Sequence, residues 1–138
     1  MNFLLDTNAI SEWQKPRPNS GVIAWMDSAD EDQLFLSVVT LAELRYGVQR
    51  MATGSRHRRY EQWLEHELPA RFEGRILAVD QGIADTWGRI VAQCASAGKS
   101  ISAIDGFLAA TAQVHDLTLV TRNVRHFTVL KAVFDPWT

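Results

Sequence analysis

Short apolar runs alternate with amphipathic stretches along this chain. Phe3-Leu4-Leu5 is unbroken and stops at Asp6-Thr7-Asn8. Leu34-Phe35-Leu36-Ser37-Val38-Val39 runs to Thr40, Arg75 to Val79 stops at Asp80, and Leu117 to Thr121 stops at Arg122-Asn123. Continuous apolar runs bounded by polar turn residues predict strands buried on both faces. Ala132-Val133-Phe134 predicts a short edge strand, stopped by Pro136.

The intervening stretches carry helical spacing. Asn8 to Gln14 predicts a short helix closed by Pro16 and Pro18. Asn19 or Ser20 caps a second, with Val22, Ile23 and Met26 as its apolar face, before the acidic loop Asp27 to Asp32. Thr40 opens a third, striped by Leu41, Leu44, Val48 and Met51 and broken at Thr53-Gly54. Ser55 opens a fourth that buries Trp63, Leu64 and Leu68 and ends at Pro69. Asp80 or Gln81 starts a fifth, with Ile83, Trp87, Ile90, Val91 and Cys94 in register and Gly98 at its end. Ser102 opens the alanine-rich helix Ala103 to His115. Strands alternating with helices predict an α/β fold. The expected architecture is a parallel four- to five-stranded sheet with helices on both faces, in a single domain over 1-138.

Composition narrows the function classes. With 46% hydrophobic residues in 138, a packed globule is expected. A net charge of −2 excludes a wholly electrostatic nucleic-acid binder but leaves room for a local basic patch. The lone Cys94 allows no internal disulfide, so a reducing, cytoplasmic setting is expected. No basic leader precedes the first apolar run, which is therefore not read as a signal peptide, and no run reaches membrane-span length.

The acids carry the candidate chemistry. Asp6 follows the first strand, Glu43 lies one turn into the helix after the second, and Asp105 one turn into the helix before the fourth. Each also has a local explanation. Thr40-Leu41-Ala42-Glu43 fits a capping box, Ser102-Ala103-Ile104-Asp105 a shorter-armed version of it, and Asp6 can cap the first helix. Against capping alone, Asp105 shares a helix face with Leu108, Ala109 and Ala112, where ionisation is costly unless compensated. A parallel sheet also brings strand ends and helix starts to one edge. Clustered carboxylates there call for a divalent cation, and hard oxygen donors without a Cys/His cluster point to Mg²⁺ or Mn²⁺.

Leu5-Asp6-Thr7-Asn8, Thr40-Leu41-Ala42-Glu43, Ala103-Ile104-Asp105-Gly106-Phe107-Leu108-Ala109-Ala110 and Thr121-Arg122-Asn123 together resemble the motifs of PIN domains. More narrowly, they resemble the VapC/FitB-like toxin ribonucleases of type II toxin–antitoxin modules, including the ending Phe134-Asp135-Pro136-Trp137. The resemblance covers the whole chain. It implies a metal-dependent endoribonuclease that uses Mg²⁺ or Mn²⁺, with Asp6, Glu43 and Asp105 as metal ligands. A fourth position, often acidic in the family, is Asn123 here, and an acid three residues later in other members is His126. Asn123 can ligate through its carbonyl or orient the attacking water. One negative charge fewer weakens a second metal site.

On this reading, one or two ions activate water and stabilise charge at an RNA phosphodiester. Thr7 and Asn8 bind phosphate or fix the acids, and Thr40 fixes Glu43. Arg122 and Arg125 flank the active edge as phosphate contacts, the alternative for them being to neutralise the acidic cluster. Arg45, Arg50, Arg56, Arg58 and Arg59 read as a solvated face with Glu61 and Glu65 as partners. His57, His66, His115 and His126 show no zinc-ligand spacing, Cys94 reads as packing, and the tryptophans read as anchors. The resemblance also implies a homodimer and a cognate antitoxin, assembled into a larger hetero-oligomer, with Ile10 and Trp13 candidates for the antitoxin groove. Two other classes compete. One is a catalytically weak PIN-like module that binds RNA or a partner. The other is a phosphoacceptor domain, disfavoured because Asp6 stands alone and strand three ends in Asp80.

Overall fold

A computed structural model describes residues 1–138. Five short strands form one parallel sheet: β1 (Phe3–Leu5), β2 (Leu34–Ser37), β3 (Ile76–Leu77), β4 (Thr118–Val120) and β5 (Val133–Phe134), in the order β3-β2-β1-β4-β5. Alternation along β1 divides the core. Leu5 faces one cluster with Ile10, Leu44, Val48, Trp63 and Phe72. Leu4 faces the other with Ile83, Ile90, Leu108, Leu119 and Phe127. Both leucines are fully buried, each stabilising the fold by about 1.5–3 kcal/mol relative to exposure.

The first face is covered by α1 (Thr7–Ser11), α2 (Ser20–Ser28), α3 (Val38–Arg50), α4 (Ser55–Gln62) and α5 (Leu68–Arg71). The second is covered by α6 (Gln81–Ser96) and α7 (Ala103–Val114). These two helices pack closely at Gly106. A β-carbon there would stand 2.7 Å from the Trp87 indole nitrogen, which itself donates to the Ala103 carbonyl at 3.1 Å.

Several boundaries are shorter or shifted against the sequence expectation, and two of the shifts have a physical reason. Strand two ends at Ser37, not Thr40, because the Ser37 hydroxyl accepts the Val39 N–H at 3.0 Å and caps α3. That cap overrides the strand preference of Val38 and Val39. Pro69 does not end the fourth helix. A wider turn over Trp63–Glu67, in which the Leu68 N–H reaches the Trp63 carbonyl, precedes the proline. Pro69 then occupies the first turn of α5, where a missing N–H is tolerated, and the chain stays helical to Arg71 with Phe72 fully buried beyond it.

Candidate active site

Parallel pairing of β1 with β4 aligns Leu5 with Val120, so Asp6 and Thr121 come next to each other at the strands' C-terminal ends. The Asp6 N–H donates to the Val120 carbonyl at 2.9 Å. Asp6 is 5% exposed. Its Oδ1 accepts the Thr7 N–H at 2.7 Å, so Asp6 does cap α1. Its Oδ2 accepts the Thr121 hydroxyl at 2.7 Å and, more weakly, the Asn8 amide at 3.5 Å. Thr121 also accepts the Asn123 N–H at 3.0 Å and an Asn8 amide hydrogen at 3.4 Å. Asn8 in turn accepts the Arg122 N–H at 3.4 Å. Thr121 is thus the hub of this edge, a role that sequence reasoning does not give it. Its signal is a hydroxyl ending one apolar strand beside the end of another, visible only once the β1–β4 pairing is known.

Burial pushes the Asp6 carboxyl above its ordinary pKa. The Thr121 and Thr7 hydrogen bonds oppose that rise, while the negative charges of Asp105 and Glu43 add to it. Acids on α7 and α3 therefore both bear on one buried carboxyl.

Glu43 lies on α3, and the Thr7 hydroxyl donates to its Oε1 at 2.5 Å. The capping-box alternative for Glu43 is not what forms, since Ser37 caps α3 instead. The expected Thr40 support of Glu43 is corrected as well. With α3 starting at Val38, Thr40 falls on the buried side of the helix, and its hydroxyl has no partner. At Asp105 the cap is made by Ser102, whose hydroxyl accepts the Asp105 N–H at 3.1 Å. The Asp105 carboxylate instead faces the His126 ring, Nδ1 to Oδ2 at 3.2 Å.

Asn123 and Arg122 are exposed beside this edge; the Asn123 side chain makes no hydrogen bond. The Arg122 charge bears on Glu12, an acid without a sequence motif around it. Glu12 is 2% exposed, accepts the Asn19 N–H at 2.9 Å and pairs with Lys15 at 2.6 Å. Burial works to raise its pKa, but Lys15, Asn19 and Arg122 together bring it below the usual carboxylate range. It pins the proline loop after α1 and stands outside the acid rim. Arg45 pairs with Glu61 and Glu65, while Arg50, Arg56, Arg58 and Arg59 are exposed and form no ion pair. Ile10 is fully buried in the core and lines no groove, and Trp13 lies half-buried under the Arg71 guanidinium. The groove beside Glu43 is lined instead by Leu44, Val48, Met51, Tyr60 and Trp63, with Arg56 and Ser11 among its polar residues, and has a volume of about 350 Å³.

The donor chemistry of Asp6, Glu43 and Asp105 fits a hard divalent ion, and a buried carboxyl flanked by like charges is the group such an ion relieves. As the side chains stand, no three acids, histidines or cysteines are gathered tightly enough to share one ion. Thr7 holds Glu43 through Oε1 and His126 holds Asp105 through Oδ2, which leaves Glu43 Oε2 and Asp105 Oδ1 without a hydrogen bond and open to an ion.

Comparison with known proteins agrees with this architecture. Toxin FitB of Neisseria gonorrhoeae is 42% identical over 136 residues, 98% of each chain. A protein named VapC ribonuclease Y4jK, of Sinorhizobium fredii, is 36% identical over 136 residues, covering 98% of this chain and 97% of the relative. The crystal structure of FitAcB from Neisseria gonorrhoeae superposes with a TM-score of 0.92 at 42% identity over 98% of each chain. The structure of FitAB bound to a DNA fragment gives 0.92 at 39% identity, over 99% of this chain and 96% of that one. The PIN domain pattern matches residues 3–131, nearly all of the sheet and every helix, and the chain belongs to the PIN domain family.

Proposed function

We propose that this protein, a single PIN domain over its 138 residues, is a Mg²⁺- or Mn²⁺-dependent endoribonuclease and the toxin of a toxin–antitoxin pair. One observation carries the reading: the buried Asp6 carboxyl at the sheet's C-terminal edge, with the charges of Glu43 and Asp105 bearing on it. Near-full-length similarity to a toxin and to a protein named a ribonuclease supports it.

Asp6, Glu43 and Asp105 would hold the ion. When bound it lowers the pKa of water and offsets charge on the phosphoryl oxygens. Thr121 and Thr7 fix the Asp6 and Glu43 carboxylates through donated hydroxyls, which orients them as ligands. His126 positions Asp105. The free Asn123 amide lies exposed beside Thr121 and can orient water or a phosphate oxygen. Arg122, exposed next to it, supplies a phosphate contact.

The partners are an RNA substrate, a second copy of the chain and an antitoxin protein, with toxin and antitoxin building a larger hetero-oligomer. The apolar groove beside Glu43, rather than Ile10 and Trp13, is the surface suited to an antitoxin's apolar side chains. No helix is long and apolar enough to cross a membrane.

The test is cleavage of a defined RNA by purified, antitoxin-free protein with Mg²⁺ or Mn²⁺, with and without a chelator. Cutting that stops with chelator and with Asp6→Asn is the expected result. RNA binding without cutting would favour the weak binding-module reading, for which the neutral Asn123 is the specific observation.

A further inference from the structure

A cavity of about 400 Å³ opens beside Asp105, lined by Lys99, Ser102, Asp105, Arg125, His126 and Thr128. Two of these side chains, Lys99 and Arg125, are cations that form no ion pair, and both converge on the one cavity. The lone carboxylate in the lining, Asp105, is already engaged by His126.

The fold brings both cations to this one cavity. Past α6 the chain turns through Gly98 at φ +72°, with the Gly98 N–H bonded to the Ala95 carbonyl and the Lys99 N–H to that of Cys94. This paired bonding with glycine in the left-handed region ends the helix tightly and returns Lys99 over the cavity, where its Nζ meets the Thr128 hydroxyl at 3.4 Å. Arg125 sits on the turn Val124–Phe127, anchored by Phe127 at 1% exposure. Two cations converging with the hydroxyls of Ser100, Ser102 and Thr128 on one cavity have the chemistry of a phosphate site.

We propose that this cavity holds a backbone phosphate of the RNA strand next to the linkage being cut, with Lys99 and Arg125 supplying the charge. It rests on the ribonuclease reading, and it assigns a direction to the strand: from the acid rim across Asp105 toward α6. Lys99 and Arg125 then determine how the substrate is registered over the acids, without entering the bond-breaking step.

The experiment uses the full chain and a short single-stranded RNA whose cut site has been mapped with the wild type. Binding is measured on an Asp6→Asn background over a range of salt, for Lys99→Gln, Arg125→Gln and the double variant. Arg89→Gln serves as a charge control on the exposed face of α6, and thermal melts check that each variant folds. The double variant should bind about tenfold more weakly and flatten the slope of log Kd against log salt by about one, while Arg89→Gln follows the parent. A second arm replaces the phosphate one linkage to either side of the cut by a neutral methylphosphonate. On one side this should weaken binding to the parent and leave the double variant unmoved. Equal affinity and slope in all variants, or the same methylphosphonate loss in parent and double variant, overturns the phosphate site while the wild type still cuts. If the wild type itself cuts no RNA, the ribonuclease reading falls and this inference with it.

Discussion

The acid rim has two flanks, and they are built differently. On the Glu43 flank the carboxylate is held by the Thr7 hydroxyl and backs onto an apolar groove of Leu44, Val48, Met51, Tyr60 and Trp63. On the Asp105 flank it is held by His126, whose side chain is 57% exposed, and opens onto a cavity with Lys99 and Arg125. Asp6 between them is buried and bound by two threonines. Similar acids thus face different surfaces: a mainly apolar groove edged by Arg56 on one side, and a polar cavity with two cations on the other. One flank suits apolar side chains of a protein, the other a charged strand. The difference comes from the neighbours of each helix: α3 runs into the core beside α4, whereas α7 begins next to an exposed loop.

Asp6 is common to both flanks and has the largest expected effect. Asp6→Asn should abolish both flanks' function together, lowering RNA cleavage by more than about a hundredfold, since loss even of a supporting partner costs about 10–100-fold. Cleavage assays with added Mg²⁺ or Mn²⁺ check this; parental rates would refute the ligand assignment.

Thr7→Val and Thr121→Val sharpen the comparison by removing one donor each. Each should raise the metal concentration for half-maximal cleavage by about 10–100-fold. Thr40→Val, at a hydroxyl without a partner, should leave that concentration unchanged. A metal titration of the three variants distinguishes them.

Gly106→Ala tests whether the Asp105 flank depends on close packing of α7 on α6. The added carbon meets the Trp87 ring, so the melt should show about 1–3 kcal/mol of destabilisation. Ser37→Ala is the counterpart for the Glu43 flank, where loss of the α3 cap should cost about 1 kcal/mol.

The smallest expected effect is on pH. Because burial first, and then the neighbouring acids, raise the folded-state pKa of Asp6, the folded protein binds a proton there more tightly than the unfolded chain. In the metal-free protein its ionisation therefore lowers stability as pH rises from the unfolded value of Asp through the raised folded one. Asp6→Asn should accordingly gain thermal stability over the metal-free wild type at neutral pH, and the gain should shrink on acidification through that window. A constant difference across pH would show that Asp6 does not titrate as its surroundings require.

Much of this architecture is legible in the sequence because it depends on local pattern. The apolar runs name every strand, and helical spacing finds the stripe Leu44, Val48 on α3 and the buried face of α7. The acids stand out because a carboxylate at the end of an apolar run has few uses. Local rules fail where they meet a competing contact. Thr40 has the pattern of a cap, but Ser37 forms the bond first. Pro69 has the pattern of a stop, but a wide turn comes before it. Ile10 looks available for a partner, but the first core cluster takes it.

Residue type and spacing along the chain thus determined which segments are strands, which are helices, and which acids lie where they end. Tertiary structure alone decided the strand order, and with it that Thr121, 115 positions away, donates to Asp6. It also decided that Lys99 and Arg125 share a cavity with Asp105. The physical reason is that periodicity records which face of an element is buried. It does not record which other element buries it.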